Sequence, residues 1–135
     1  MGLSTDDVVE IQGLAARYSQ AVDGGDTDAF LACFAEDGVF EIVGVATFEG
    51  HAALKSLPTS NAGEGSPRHV PSNLVIEGDG DRATFKAYVH VIKLIGDPPA
   101  FTITTGGSYN DTLIKEDGHW KFSYRKFTSD KPLAL

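Results

Sequence analysis

Residues 82–95 read RATFKAYVHVIKLI. β-branched and aromatic side chains dominate and no glycine or proline interrupts, so the stretch reads as one long strand. It is flanked by two turns, GDGD at 78–81 and GDPP at 96–99. Beyond them lie two more extended runs, RHVPSNLVIEG (68–78) and AFTITTGGSYNDTLIKEDGHWKFSYRKF (100–127), the second folded back at KEDGHW. Strands joined in sequence by short turns make an antiparallel meander, so the C-terminal half of the chain is sheet.

The N-terminal half has a different period. Val8, Ile11, Leu14, Ala15, Tyr18 and Val22 recur at the three-and-four spacing of an amphipathic helix over residues 4–23, with Ser4 or Thr5 as the cap and Asp6 and Asp7 at its positive pole. The signals DTD and EDG bound a second helix from Asp26 to Ala35. GVFEIVGVATFEG (38–50) gives one or two short strands, and GHAALKSL (50–57) a third helix ending near Pro58. PTSNAGEGSP (58–67) has no apolar period and reads as a loop of the kind that forms lids. Three helices followed by a meander predict one α+β domain over residues 1–135, its sheet curled over the helices to bury one face. Such a sheet leaves a conical cavity at its open end, suited to a small organic molecule.

Composition narrows the class. Charged residues make up 22% and hydrophobic ones 41% of the chain, and the longest apolar runs fall far short of a bilayer span, which points away from a membrane protein. With 11 basic and 19 acidic residues the net charge is −8, and no basic cluster exceeds two adjacent residues, so nucleic acid is not an expected partner. The N-terminus MGLSTDDVVE carries no secretion signal, which makes the cytoplasm the expected location. The single cysteine, Cys33, lies in AFLACFA and reads as a buried small hydrophobe. Scattered histidines give no zinc pattern, nucleotide-cradling loops are absent, and GDGDR lacks the length and terminal Glu of a calcium loop, so no metal or organic cofactor is indicated.

The candidate chemistry sits at a few positions. Tyr18, on the apolar stripe of the first helix, is either a core tyrosine or a cavity hydroxyl, and needs a partner in both cases. Asp23 precedes Gly24 and Gly25 on the helix's last turn, where the negative pole opposes an ionised carboxylate, as burial would if the side chain is partly enclosed. That suits a general base or a group that holds one; the plain alternative is a solvated acid in a turn. His69 opens a strand just after the loop, where pockets form, and an Asp beside it would fix its tautomer and raise its basicity. His90 shares strand parity with Tyr88 and Ile92, while Phe85, Ala87, Val89 and Val91 share the other, and parity alone leaves open which face meets the cavity. Arg125, on the final strand, faces inward to an anion or outward beside Lys126. Trp120 reads as a core anchor; His51 and His119 are not favoured.

The phrases ARYSQAVDGGDTDAFLACFAEDGVFE, FEGHAAL, RHVPSN and YNDTLIKEDGHWKF resemble the SnoaL-like group of the nuclear-transport-factor-2-like superfamily over nearly the whole chain. The resemblance implies a cone of strongly curved antiparallel sheet packed on three helices, assembled as a dimer or trimer through the sheet's outer face. Tyr18, Asp23, His69 and Arg125 match the catalytic pattern of the branch containing bile acid 7α-dehydratase. The hexachlorocyclohexane dehydrochlorinase branch is similar at Asp23, His69 and Arg125 but has Lys where this chain has Tyr18. The scytalone dehydratase branch makes His90 and Tyr88 looser candidates, and Asn73 of RHVPSN and Trp120 join them as expected substrate contacts. The ketosteroid isomerase branch has its carboxylate where this chain has Ile42, which cannot move a proton, and Glu41 beside it points to the opposite face. A limonene epoxide hydrolase pattern needs two carboxylates flanking an Arg, of which only Asp23 is placed. The resemblance therefore implies a cofactor-independent lyase or isomerase, of dehydratase or dehydrohalogenase type, acting on a hydrophobic cyclic small molecule. A non-catalytic binding module and a polyketide-type cyclase are the alternatives on the same fold.

Overall fold

The computed structural model describes residues 2–58 and 64–132. Helix α1 spans Thr5–Gly24 and starts on a capping box: the Ser4 side chain accepts from the Asp7 amide while the Asp7 carboxylate accepts from the Ser4 amide. It ends where Gly25 takes a left-handed conformation and returns its N–H to the Ala21 and Val22 carbonyls. Ile11, Leu14, Ala15, Tyr18 and Val22 are buried along one face, as their spacing predicts. Helix α2 spans Thr27–Ala32, shorter than its sequence signals suggest, because Phe34 already enters strand β1 (Phe34–Ile42) opposite Phe122. Strand β2 (Ala46–Glu49) and helix α3 (Gly50–Leu54) follow. Of the loop expected at 58–67, residues 59–63 lie outside the described residues; beyond them the Gly65 carbonyl accepts from the Leu94 amide.

The meander is β3 (Arg68–Asp79), β4 (Arg82–Ile95), β5 (Ala100–Glu116) and β6 (His119–Ser129), each antiparallel to the next. The sheet order is β2-β1-β6-β5-β4-β3. One pair departs from the antiparallel expectation: β1 runs parallel to β6, which makes the six-stranded sheet mixed. After β1 the chain turns back through β2, crosses by α3 to the far edge at β3 and returns through β4 and β5 to β6, a connection long enough to set two parallel strands side by side. Gly38 sits in this pair's irregular stretch, where a Cβ would come within 2.9 Å of the Ala35 carbonyl oxygen and 3.0 Å of that of Phe122.

α1 packs against both β3, at the sheet's edge, and β6, near its middle, so the sheet wraps round the helix. Inward parity on β4 belongs to Ala83, Phe85, Ala87, Val89 and Val91. On β3 a bulge between Ser72 and Val75 inserts one residue, with Asn73 at φ +55°. The insertion resets the alternation, so that His69 and Pro71 before it and Leu74 and Ile76 after it all turn toward the helices. The closed end is fastened by Trp120. Its indole N–H donates to Asp7 Oδ1 at 2.9 Å and its amide to Glu10 Oε2 at 2.7 Å, while Lys115 Nζ meets Asp7 Oδ1 at 3.0 Å. Among the described residues, no helix is long and apolar enough to cross a membrane.

Candidate active site

The site forms where the last turn of α1 meets the first residues of β3. As an edge strand, β3 has one row of amides with no strand to pair with, and Asp23 occupies the one at His69. The His69 amide donates to both carboxylate oxygens, at 3.1 and 3.0 Å, and its ring Nδ1 lies 2.6 Å from Oδ1. A carboxylate only accepts, so in the neutral ring Nδ1 carries the proton and Nε2 is left with a lone pair. The two side chains are 10% and 13% exposed. The pair is thus largely shielded from water, and His69 lines a cavity of about 210 Å³.

Strand register explains the cavity's composition. His69, Val91 and Thr105 are partners across β3, β4 and β5 and form one inward row at the rim. Val22 from α1, Phe40 and Ile42 from β1, Val89 from β4 and Phe127 from β6 supply the apolar walls. Tyr18 and Tyr109 bring two phenols, their rings 6.1 Å apart and nearly perpendicular. Both are buried, and that burial raises their pKa values, with the Arg125 charge opposing it in each case. Gly107 is spaced for Phe127: a Cβ there would come within 2.5 Å of the Phe127 ring.

Arg125 faces inward, and at 1% exposure it is sealed beneath the phenols and away from the cavity wall. Its guanidinium carbon is 3.4 Å from the Tyr109 ring centroid and 4.1 Å from that of Tyr18. Across the β5–β6 ladder it pairs with Asp111, whose Oδ2 is 3.6 Å from Arg125 Nη2. Burial pushes the Asp111 carboxyl up to about 7, against the lowering influence of Arg125.

The four expected substrate contacts are not on this cavity. Tyr88 and His90 lie on the outer sheet face, because the inward positions of β4 are taken by Ala87, Val89 and Val91; Tyr88 is 57% exposed and His90 packs beside Gly106. Asn73 is the exposed bulge residue, and Trp120 is buried at the opposite end against α1. Tyr18, Asp23 and His69 do come together, with Arg125 one layer behind. Tyr109, Thr105 and Asp111 were missed. The signal for Asp111 lies in its alternation with Tyr109 and Leu113; counting back from the turn at Asp117–Gly118 would set it opposite Tyr124, and the bulge between Thr112 and Leu113 is what brings it opposite Arg125. Among the described residues, no three His, Cys, Asp or Glu side chains converge as a metal-ligand set.

Solved structures share this architecture. A protein of unknown function from Mycobacterium tuberculosis is 32% identical over 94% of this chain and 73% of that chain, with a TM-score of 0.83. An NTF2-like protein with a cystatin-like fold from Novosphingobium aromaticivorans is 25% identical over 96% of this chain and 85% of that chain, with a TM-score of 0.82. LinA, at 21% identity over 96% of this chain and 90% of that chain, shares the fold with a TM-score of 0.77. No curated protein matches the sequence. The family model for a SnoaL-like domain matches residues 4–126.

Proposed function

The chain belongs to the SnoaL-like domain family, and from that premise we propose that it is a cofactor-independent lyase or isomerase of the dehydratase or dehydrohalogenase type, using Asp23 and His69 as its general base. The observation that carries this reading is the 2.6 Å contact between Asp23 Oδ1 and His69 Nδ1 at the wall of an apolar cavity. It leaves Nε2 free to accept a proton, and it holds the carboxylate where an imidazolium forms. In an elimination, the substrate C–H bond breaks and its proton passes to Nε2. The electron pair becomes the new double bond, and the carbon–oxygen or carbon–halogen bond breaks on the far side. A phenol at the floor stabilises the departing oxygen or halide. In an isomerisation the same imidazolium returns its proton to another carbon.

The substrate is read as a hydrophobic small molecule with a single substituted ring. A cavity of about 210 Å³ is somewhat larger than one of ~150 Å³ that accepts benzene. Exposed apolar residues on the outer face, Val75 and Tyr88 among them, support the expectation of a homo-oligomer formed through that face. A module that only binds its ligand would use the same walls but would not require the Asp23–His69 geometry.

The test is to identify the small molecule that co-purifies with the protein, by mass spectrometry, and to assay turnover on its class. His69→Ala and Asp23→Asn should each lose roughly 10²- to 10⁴-fold in kcat. Full turnover in both variants would overturn the Asp23–His69 mechanism, and no turnover by the wild type would leave binding as the better account.

A further inference from the structure

We propose that Tyr109 is, with Tyr18, a second hydroxyl donor to the ligand's oxygen at the cavity floor, and that Arg125 is a positioning residue acting through both rings. This rests on the cavity being the site of proton transfer, and it concerns the opposite wall from His69.

Three observations converge on it. Tyr109 lines the same cavity as Tyr18 and His69, placed there by the inward parity of β5 and by its pairing with Phe127 on β6. The Tyr18 and Tyr109 rings stand 6.1 Å apart and nearly perpendicular, so the two phenols belong to one floor. Arg125 then does something unusual with its charge. Among the described residues its Nε and Nη1 have no hydrogen-bond partner, and its Nη2 stands 3.6 Å from Asp111. A buried guanidinium with idle donors is costly, and here its cation sits instead among four aromatic rings, nearest to Tyr109 at 3.4 Å and Tyr18 at 4.1 Å, with Phe122 at 4.4 and Phe85 at 5.9 Å. A cation on a ring face draws electron density from the ring and makes its hydroxyl a stronger donor. Burial keeps both phenols protonated, and the hydrogen bond that links their hydroxyls is exchanged for one to the ligand's oxygen when it binds. A phenylalanine at 109 would pack as well on Arg125, but it would leave the floor with one hydroxyl.

The probe is 4-nitrophenolate at about pH 9, where it is ionised, with nitrobenzene as a control of the same shape lacking the oxygen. Tyr109→Phe and Tyr18→Phe should each weaken phenolate binding roughly ten-fold while nitrobenzene binding changes less than about two-fold. Arg125→Met removes a fully buried charge that packs the core, so Asp111→Asn supplies the independent arm. With the ionised carboxylate gone, the Arg125 charge is unopposed and phenolate should bind several-fold more tightly, which a merely structural role would not produce. The inference is overturned if Tyr109→Phe binds phenolate as well as the wild type, if nitrobenzene suffers equally, or if Asp111→Asn weakens phenolate. It is also overturned if the wild type binds phenolate no better than nitrobenzene. A Tyr109 effect found alongside unchanged turnover in His69→Ala would keep this inference and sink the general-base reading.

Discussion

Asp23 holds His69 at two points, the main-chain amide and ring Nδ1, so one carboxylate fixes both where the strand begins and which way the imidazole faces. The chemical and structural duties of Asp23 can therefore be separated. Asp23→Ala should destabilise the fold by about 1–3 kcal/mol, because the edge-strand amide loses its acceptor. His69→Ala keeps that amide bond and should cost less. Urea unfolding midpoints of the two variants check the order, and a reversed order would show that the backbone contact contributes little.

Gly107 is required for close approach. A methyl group there would meet the Phe127 ring and the Thr128 carbonyl oxygen, both at 2.5 Å, and the carbonyl belongs to the backbone of the neighbouring strand. Gly107→Ala should destabilise by about 1–3 kcal/mol and push Phe127 toward the cavity. Denaturant unfolding together with ligand affinity measures both effects; a neutral substitution would contradict the packing described.

Asp111 gives the fold a pH dependence with a definite sign. Its carboxyl titrates near 3.8 when unfolded and about 7 when folded. Between these values the folded state keeps a proton that the unfolded chain has released, so its contribution to stability falls as pH rises from about 4 through 7. Asp111→Asn removes this dependence. The stability gap between variant and wild type should widen in the variant's favour from pH 5 to pH 8, read from urea midpoints at each pH, and a constant gap would mean that Asp111 titrates normally.

Asp7 acts in the opposite sense. The Trp120 indole N–H, Lys115 and the Ser4 cap hold its carboxyl well below the usual carboxylate range. Its contribution is present above the unfolded value of 3.8 and is lost as pH falls below it. Asp7→Asn should lower Tm at neutral pH and blunt acid sensitivity, with a shift in fluorescence from the single tryptophan as α1 loosens from β6. Identical acid unfolding curves for variant and wild type would count against this anchoring role.

The outer-face positions provide a control. Tyr88→Ser and His90→Ala should leave cavity ligand affinity within about two-fold, since neither side chain reaches the cavity. A large loss in either would mean that the cavity extends through the sheet or depends on assembly.

Much of this was legible in the chain because local rules and tertiary packing agree. The three-and-four spacing from Ile11 to Val22 and the GG after Asp23 give α1 and its end, and the turns at 78–81 and 117–118 give the meander. Asp23 and His69 could be nominated as partners, but only tertiary geometry brings residues 46 positions apart to 2.6 Å. What sequence did not give is facing. The alternation on β4 is visible in the chain while its inward side is not, so the resemblance places Tyr88 and His90 at the site although they point away from it. Asn73 misled for a related reason: a bulge residue changes the parity of its whole strand, and nothing local distinguishes it from a contact residue. The parallel β1–β6 pair is likewise a consequence of crossover topology and leaves no mark in either strand.

The central claim, that His69 removes a carbon-bound proton inside this cavity, can be measured without knowing the natural substrate. Single-ring enones such as cyclohexenone, incubated in D₂O and followed by NMR, report proton abstraction directly as deuterium uptake. The account predicts faster exchange with the wild-type protein on at least one such ring, reduced about 10²-fold or more in His69→Ala and clearly reduced in Asp23→Asn. Exchange no faster with the wild type than with His69→Ala on every ring tested would contradict it.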